Sequence, residues 1–304
     1  MTEAASNSTG ITLIHFSDLH LYVSNTHWSF ADWSSKRLSG WLNLFCLGRE
    51  NQFARAQKVA LCFRREIQAR QPHICVFSGD SSALGFSQEI TRAAELLGVA
   101  GQERPAGLAV PGNHDYYTKA AAASGAFETQ FAAWLQGERV DAETYPFARK
   151  VGPFWLVAVN SCTGNRLFWD SSGSVGTKQL ERLERLFQRL GPGPRILTTH
   201  YPVCRSDGRP EPHFRCLRDL DKLLDVCLRA GICLWLHGHR HTPYWLRASA
   251  HLPFPIICAG SLGQRGHWSY GEYLIQPRWL QGIRRMYSPS VDGFVEDERF
   301  ELTL

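Results

Sequence analysis

Residues 11–20 read ITLIHFSDLH and set a pattern that the rest of the chain repeats. The mostly apolar run Ile11–Phe16 is followed at once by a polar cluster at residues 17–20. A short apolar run that is bounded by polar residues is typical of a strand buried on both faces. We therefore predict a buried strand whose carboxyl end carries Asp18 and His20.

The pattern of an apolar run with a polar end recurs four more times. The runs are Ile74–Phe77 before SGD, 108–110 before PGNHD, 196–199 before HYP and 232–236 before HGHRH. Apolar residues at helical spacing lie between several runs, at Ala56–Arg70, Ser87–Leu97, 177–190 and 217–230. Strands that alternate with helices predict an α/β fold, in which ligands bind outside the carboxyl ends of the strands.

The sequence changes character from about Thr242. Short runs rich in Trp, Tyr, Ile and Val follow, without helical spacing, and predict a β-rich ending that forms a second sheet or the far edge of the first. No internal repeat or long linker interrupts the chain. We predict a single domain over residues 1–304, with an inserted segment at 21–51 and a β-rich C-terminal part at 242–304.

Composition restricts the class of protein. The 304 residues include 33 Lys and Arg against 28 Asp and Glu, a net charge of +5, and 44% are hydrophobic. This hydrophobic content suffices for a buried core, and the mild, dispersed charge does not indicate a nucleic-acid partner. The nine cysteines, without a C-x-x-C pair, predict reduced core residues instead of disulfides or a zinc site.

The apolar runs and the N-terminus bear on localisation. No apolar run approaches the roughly 18 residues that a spanning helix needs. The N-terminus, MTEAASNSTG, carries Glu3 where a secretory signal has positive charge before an apolar stretch. We expect a cytoplasmic protein with no obligate protein partner.

Seven side chains of the polar clusters suit divalent metal ions: Asp18, His20, Asp80, Asn113, His200, His239 and His241. Imidazole, carboxylate and amide donors without thiolate favour Mn, Fe, Co, Ni or Zn. With one bridging carboxylate they provide four ligands to each of two ions, roughly 3.5–4 Å apart. On extended backbone, the i, i+2 spacing of each Asp-x-His or His-x-His pair projects both side chains to one side.

The order of these clusters resembles that of the calcineurin-like metallophosphoesterases. The motifs are DLH at 18–20, GD at 79–80, GNHD at 112–115, a lone His at 200 and GHRH at 238–241. The resemblance implies a β-sandwich of two mixed sheets flanked by helices, with the active site at the strand C-terminal ends. It assigns Asp18, His20, Asp80 and His241 to one ion, and Asp80, Asn113, His200 and His239 to the other. Manganese is the ion we expect first.

The same resemblance implies hydrolysis of a phosphoester or phosphoanhydride bond by a metal-bridging hydroxide. His114 is the candidate acid that protonates the leaving oxygen, and Asp115 would hold its imidazole ring. The chain departs from many relatives at Ser81 and Ser82, where a larger apolar residue and Thr are common.

The insert after His20 is the clearest candidate for substrate binding. About thirty residues separate His20 from the helix near Gln52, whereas a βα connection usually has about two to six. Leu38, Trp41, Leu42 and Phe45 fall at helical spacing, with Ser34 as a potential N-cap and Lys36 and Arg37 as basic neighbours. Such a helix receives acyl chains, lies on a membrane surface through residues 28–46, or simply packs on the domain.

Residues 35–43, SKRLSGWLN, are similar to the insert of chlamydial-type UDP-2,3-diacylglucosamine pyrophosphohydrolases of lipid A synthesis. This similarity implies a lipid-linked substrate, an apolar helix that includes Trp41 for the acyl chains, and an enzyme peripheral on the cytoplasmic face of the inner membrane. Arg37 and Arg205 would pair with the diphosphate. Two alternatives stay open: a soluble cyclic-nucleotide or general phosphodiesterase, and a non-catalytic scaffold of the same fold.

Overall fold

The computed structural model describes residues 10–304 except 25, 27, 34–35, 47 and 102–104. Its strands are β1 Ile11–Phe16, β2 Ile74–Phe77, β3 Gly107–Ala109, β4 Phe147–Val151, β5 Phe154–Ala158, β6 Arg195–Thr198, β7 Ile232–His237, β8 Tyr244–Leu246, β9 Ile256–Cys258, β10 Ser269–Gln276, β11 Trp279–Ser288 and β12 Gly293–Thr303. Its helices are α1 Phe30–Trp33, α2 Lys36–Cys46, α3 Arg49–Phe53, α4 Ala56–Arg70, α5 Ser87–Leu97, α6 Lys119–Ala123, α7 Ala126–Gln130, α8 Thr177–Arg189 and α9 Leu220–Ala230, with 3₁₀ turns at Ala132–Trp134 and His213–Arg215.

The described strands form two six-stranded mixed sheets. The first has the order β12-β11-β10-β1-β2-β3 and the second β4-β5-β6-β7-β9-β8. Strands β1, β2 and β3 are parallel, as are β5, β6, β7 and β9, while β4, β8 and β10–β12 pair antiparallel with their neighbours. Helices connect the parallel strands because a parallel pair needs a crossover between its members.

The hydrophobic core lies between the sheets and beneath the helices. Helix α4 buries Val59, Phe63 and Ile67, which are four residues apart and so lie on one helical face. Helices α8 and α9 cover the outer face of the second sheet, where Leu183 and Val226 belong to a second apolar cluster. These faces leave the carboxyl ends of the parallel strands uncovered, and the polar clusters of the sequence lie there.

The predicted α/β fold of two mixed sheets with flanking helices is confirmed. The first two predicted strands and two of the four predicted helices have the expected bounds, whereas α9 begins at Leu220 instead of 217. The β-rich ending divides between the sheets, because β8 and β9 extend the second while β10–β12 extend the first. Within the described residues, no helix is both long and apolar enough to cross a membrane. The proposed N-cap Ser34 lies outside the described residues.

Candidate metal centre

The seven predicted ligands lie at the carboxyl ends of parallel strands in both sheets. Asp18 and His20 follow β1, Asp80 follows β2 and Asn113 follows β3, all in the first sheet. From the second sheet, His200 follows β6, and His239 and His241 follow β7. The two sheets therefore contribute to one site, although the ligands are spread over more than two hundred positions of sequence.

The backbone at the ligands is unusual. Five of the seven have positive φ angles: Asp18 at 55°, His20 at 48°, Asp80 at 62°, His239 at 70° and His241 at 58°. The expectation that extended backbone brings the i, i+2 pairs together is therefore wrong. Left-handed conformations at both members of each pair turn the chain sharply at the strand end. Each is unfavourable for a non-glycine residue, by about 1 kcal/mol or more, and such costs concentrate at functional sites.

Close approach of neighbouring segments requires two of the motif glycines. A Cβ at Gly112 would lie 2.0 Å from Oδ1 of Asp80, and one at Gly238 would lie 1.9 Å from Oγ of Ser17. Gly79 differs from both, because its φ of 100° is a conformation that favours glycine. Of the three predicted turn glycines, Gly112 and Gly238 therefore permit close approach of a neighbouring segment, and Gly79 permits a positive φ angle.

One half of the cluster contains Asp18, His20, Asp80 and His241. One potential ligand atom from each lies within 4.8 Å of the others. His241 Nε2 is 3.1 Å from Asp18 Oδ1, and His20 Nε2 is 3.4 Å from Asp80 Oδ2. All four side chains are buried or nearly so. These are the residues predicted for the first ion.

The other half contains Asp80, Asn113, His200 and His239. His200 Nε2 lies 3.4 Å from Asp80 Oδ2 and 3.0 Å from Asn113 Oδ1. His239 Nδ1 lies 3.0 Å from the same Asn113 oxygen. Asp80 belongs to both halves, which is the position required of a bridging carboxylate.

The donor atoms fit divalent ions. His200 donates its Nδ1–H to the Ser78 carbonyl at 2.8 Å, so Nε2 is the ring nitrogen that faces Asn113 Oδ1, at 3.0 Å. Without an ion, a proton on Nε2 occupies this gap, and a divalent ion would take the place of that proton. Asp18 Oδ1 is buried without a hydrogen-bond partner among the described atoms. The clustered carboxylate, imidazole and amide groups fit a dinuclear divalent-metal site.

The electrostatics of the cluster keep both carboxylates ionised. Burial alone would raise the pKa of Asp80, but the surrounding imidazoles of His200, His114 and His20 lower it strongly. The pKa of Asp18 is also held well below its usual range, because His241 and His20 outweigh its burial. Conversely, burial would lower the pKa of His200, but Asp80 raises it to about 9. The two buried anionic side chains are ready to bind cations.

His114 lies beside the metal ligands and lines the cavity in front of them. Its Nδ1–H donates to the Ala83 carbonyl at 2.6 Å, and its backbone N–H donates to Asp80 Oδ1 at 2.7 Å. Burial holds the pKa of His114 well below 6.5, and His20 and Arg49 lower it further against the opposing effect of Asp80. The imidazole is therefore neutral, with its lone pair on Nε2.

The predicted contact between Asp115 and the His114 ring is wrong. The Asp115 carboxylate instead accepts backbone N–H groups of Asp80, Ser81, Ser82 and Gly112, at 2.9 to 3.0 Å. The Ser81 and Ser82 hydroxyls also donate to it. Asp115 therefore fixes the loop after β2 that carries the bridging ligand. The two serines at which the chain departs from many relatives provide part of this network.

A cavity of about 480 Å³ lies in front of the metal ligands. The insert and the loops after β2, β3, β5, β6, β7 and β9 contribute to its lining. The lining residues are Lys36, Asn43, Arg49, Asp80, Asn113, His114, Tyr117, Phe168, Trp169, Ser171, Arg215, His239, Arg240, His241, Thr242, Gln264 and His267. Sequence reasoning missed the cations Arg49, Arg215 and Arg240. The one available signal was their position in long connections after ligand-bearing strands.

Arg37 does not face this cavity. Its guanidinium donates to the carbonyls of Leu84 and Gly85 at 3.1 and 2.6 Å and forms an ion pair with Asp32. It also stacks on the Phe86 ring, 4.2 Å from the ring centroid. The prediction that Arg37 pairs with a diphosphate is therefore wrong, because its donors hold the insert against the loop after β2.

Trp41 and Arg205 also lie outside the cavity lining. Trp41 is half-buried against Phe45 and a small apolar cluster that includes Leu44 and Tyr117. The guanidinium of Arg205 pairs with Asp207 at 2.9 Å. Neither residue is placed to bind a substrate at the metals, so the packing role predicted as the alternative for the α2 helix describes Trp41.

Solved structures with the same fold include phosphatases. A dimetal phosphatase from Danio rerio is 12% identical, with 96% of this chain and 98% of that one aligned and a TM-score of 0.65. Purple acid phosphatase PPD1 from yellow lupin is also 12% identical, with 99% and 55% of the two chains aligned and a TM-score of 0.62. The GAP50 anchor of the Plasmodium inner membrane complex aligns over 97% and 89%, at 9% identity and a TM-score of 0.55. These likenesses show the fold.

A sequence search of curated proteins finds no match. The family model of the calcineurin-like phosphoesterases, in contrast, matches residues 11–243. This range contains all five motifs and all seven predicted metal ligands. The chain belongs to the calcineurin-like phosphoesterase family and is a metal-dependent phosphoester hydrolase.

Proposed function

We propose that this protein hydrolyses a phosphoanhydride bond in an acyl-bearing substrate at a membrane surface, with UDP-2,3-diacylglucosamine as the first candidate. The observation that carries this proposal is the aromatic mouth of the metal cavity. Phe168 and Trp169 line the cavity, yet their side chains are 66% and 51% exposed. Exposed aromatic groups beside a phosphohydrolase centre suit a substrate with an apolar part.

Further exposed apolar side chains lie on segments that are bonded to this mouth. They are Phe30 and Trp33 of the insert, Leu167 before Phe168, and Phe214 of the second 3₁₀ turn. With Phe168 and Trp169 they are called the apolar rim here. Lys36 of the insert donates to the Asp170 carbonyl at 2.9 Å, and the Ser171 N–H donates to the Phe214 carbonyl at 2.9 Å. These bonds tie the three segments together around one entrance.

The insert therefore has two faces with different roles. Its inner side packs on the domain through Leu44, Trp41 and Phe45. Gly40 permits this contact, because a Cβ there would lie 2.2 Å from the Tyr117 hydroxyl. Its outer side leaves Phe30 at 93% exposure, Trp33 at 53% and Leu42 at 44%. We propose that this outer side provides the peripheral membrane contact within residues 28–46.

The chemistry at the centre follows from the cluster. Two divalent ions, with manganese as our first candidate, would when bound supply an activated water at neutral pH and positive charge for the phosphoryl oxygens. The residues that would hold them are Asp18, His20, Asp80, Asn113, His200, His239 and His241, and Asp115 holds the loop that positions Asp80. His114 offers its Nε2 to the substrate. Because its ring is neutral, donation to a leaving oxygen requires the anionic substrate to raise its pKa first.

A comparison of matched substrates tests the proposal. The manganese-loaded protein is given UDP-2,3-diacylglucosamine in mixed micelles, UDP-N-acetylglucosamine, which has the same anhydride without acyl chains, a cyclic nucleotide and bis(p-nitrophenyl) phosphate. The Asp80→Ala variant provides the blank. We expect kcat/KM for the diacylated substrate to exceed that for the unacylated one by at least about 100-fold, which corresponds to burial of a few methylene groups.

Three outcomes would contradict the proposal or part of it. Equal kcat/KM values for the acylated and unacylated anhydrides would contradict the proposal that the substrate carries acyl chains. Turnover of cyclic nucleotides or the nitrophenyl diester alone identifies a soluble phosphodiesterase. Absence of turnover of every substrate, with two ions bound, leaves the non-catalytic scaffold as the function of this fold.

A further inference from the structure

The cavity in front of the metal ligands is lined by more positive charge than its own residues neutralise. Four cations line it, Lys36, Arg49, Arg215 and Arg240, whereas Asp80 is its one acidic lining residue within the described chain. Arg240 has a counter-ion, because its Nη1 lies 3.2 Å from the buried Glu211 carboxylate. The other three form no ion pair with any described carboxylate.

Arg49 is the most informative of the three. It begins the short α3 helix, and burial lowers the pKa of its guanidinium in spite of Tyr117 and Asp80. Its guanidinium carbon lies 5.7 Å from the Phe53 ring centroid, and it makes no hydrogen bond with a described residue. A partly buried guanidinium without an anion is unfavourable, and a bound anion would relieve that cost.

Lys36 and Arg215 lie around the same space. Among the described residues, the Lys36 ammonium makes one hydrogen bond, to the Asp170 carbonyl, and lies 4.9 Å from the Tyr117 ring centroid, so two of its three N–H donors have no described acceptor. Arg215 is exposed, and its charge is near enough to lower the pKa of Arg49 further. Two arginines that disfavour each other's charge are typical of a site for a multivalent anion.

A single phosphoryl group does not account for this charge. Two divalent ions would exceed the charge of Asp18 and Asp80 by two, and a phosphodiester together with the attacking hydroxide would already neutralise that excess. The three cations would then face an empty part of the cavity. A second phosphoryl group, joined to the first, would add oxygens to the same cavity, which the Arg and Lys side chains without a described carboxylate partner also line.

We propose that Lys36, Arg49 and Arg215 form a subsite for a second phosphoryl group and make the protein selective for diphosphates. This inference deepens the proposed hydrolysis of a phosphoanhydride and rests on it, but it does not depend on the acyl chains. The planar guanidinium of Arg49 is shaped for bidentate bonds to phosphate oxygens, and the Lys36 ammonium adds a point charge.

Binding of two nucleotides that differ by one phosphate tests the subsite. Calorimetric titration compares UDP with UMP on the manganese-loaded protein and on the metal-free protein, for the wild type, Arg49→Gln and Arg215→Gln. We expect the wild type to bind UDP at least about 10-fold more tightly than UMP, and each variant to reduce that ratio to below about threefold. Arg55→Gln, an exposed substitution just beyond α3, is the matched control and should keep the ratio.

Two results would overturn the inference: equal affinity of the wild type for UDP and UMP, or a ratio that survives both substitutions. Arg215 is exposed, so its variant keeps the test decisive if Arg49→Gln does not fold. Failure of the proposed function has a different signature. In that case the wild type does not hydrolyse the phosphoanhydrides, or hydrolyses the acylated and unacylated ones equally, while the nucleotide titrations still report on the subsite.

Discussion

The metal cluster and the outer wall of its cavity are built in opposite ways. Every predicted ligand of the cluster follows a strand of the two sheets, and buried partners hold it in place: the Ser78 carbonyl accepts from the His200 ring, and Asp115 accepts from the backbone N–H of Asp80. The outer wall comes from connections, namely the insert at 21–51, the loop at 166–171 and the turn His213–Arg215. The sheets therefore position the groups for the chemistry, whereas the long connections form the wall that would determine substrate specificity.

The two regions also differ in how their backbone is stabilised. The cluster contains five left-handed non-glycine residues, which the surrounding core holds in place. The outer wall contains helices of four and five residues, α1 and α3, which are too short to be stable alone. They depend on hydrogen bonds to the rest of the domain, above all those that Arg37 donates to the carbonyls of Leu84 and Gly85. Lys36 adds another, to the Asp170 carbonyl.

The largest effect is expected at the residue shared by both halves of the cluster. Asp80→Ala removes the bridging carboxylate, so we expect loss of at least one of two bound metal equivalents and a fall in kcat of about 10⁴-fold or more. Elemental analysis and hydrolysis of bis(p-nitrophenyl) phosphate measure the two quantities. Asp207→Ala, at an exposed acidic residue of the loop after β6, is the control. Two retained metal equivalents in Asp80→Ala would contradict the bridging role.

The next effect distinguishes metal binding from proton transfer inside the cluster. His114→Ala should retain both ions and lower kcat by about 10² to 10³-fold for a substrate with an alkyl leaving group. The loss should be much smaller for a nitrophenolate leaving group, which departs without a proton. Equal losses for the two leaving groups would show that the His114 ring acts by packing against the cluster, as it does on His20, and not by proton donation.

Asp115→Asn tests whether the loop after β2 depends on a carboxylate. The amide cannot replace a carboxylate that accepts four backbone N–H groups, so we expect a loss of about 3 kcal/mol in the free energy of unfolding. Urea denaturation at pH 7 measures it. A variant with normal stability but an altered pH profile of kcat would instead support the ring-holding role that the hydrogen bonds contradict.

The outer wall should respond in a substrate-dependent way. Phe30→Ser with Trp33→Ser removes exposed apolar groups, so we expect KM for the diacylated substrate in micelles to rise about 10-fold, with unchanged hydrolysis of bis(p-nitrophenyl) phosphate. Trp41→Ser, on the packed side of the same insert, should instead lower the thermal unfolding temperature. Equal effects on both substrates would assign Phe30 and Trp33 to packing.

The last effect is a pH dependence of stability, and it concerns Glu89, whose carboxyl bonds the backbone of the loop after β2. Its carboxyl is fully buried, accepts the N–H groups of Leu84 and Phe86, and leaves Oε1 without a partner within the described chain. Burial raises its pKa from 4.5 to about 8. The folded state therefore binds this proton more tightly than the unfolded state, and stability falls as the pH rises through this interval.

Glu89→Gln removes that titration. Urea denaturation from pH 5 to 8 should show the stability of the wild type, relative to the variant, decreasing by on the order of 1 kcal/mol per pH unit. Above about pH 8 the difference should become constant. Parallel pH dependences of the two proteins would contradict a buried, protonated Glu89.

Much of the fold and the cluster could be predicted because their signals are local. The strand Ile11–Phe16 and the helix Ala56–Arg70 follow from apolar periodicity, which depends on sequence spacing alone. The ligands follow from five motifs whose side chains must meet if the parallel strands end together. The left-handed backbone at His20 was not predictable, because propensity disfavours it and only the surrounding core enforces it.

The substrate wall could not be predicted in the same way. Arg37 and Lys36 are adjacent in sequence and have similar charge, yet Arg37 is bonded to Leu84 and Gly85 while Lys36 lines the cavity. Asp115 and His114 are also adjacent, yet their side chains have unrelated partners. In both pairs, the rotation of one residue relative to the next decides which side chain reaches the site.

The sequence by itself determined the family, and it predicted the seven candidate metal ligands and the alternation of strands and helices, because each depends on residue type and spacing along the chain. Only the tertiary structure decided that Asp115 holds a loop, that Arg37 is structural, and that Arg49 and Arg215 line the cavity in front of the cluster. These outcomes depend on contacts between segments far apart in sequence, whose free energies arise only when the two sheets and the insert are packed together.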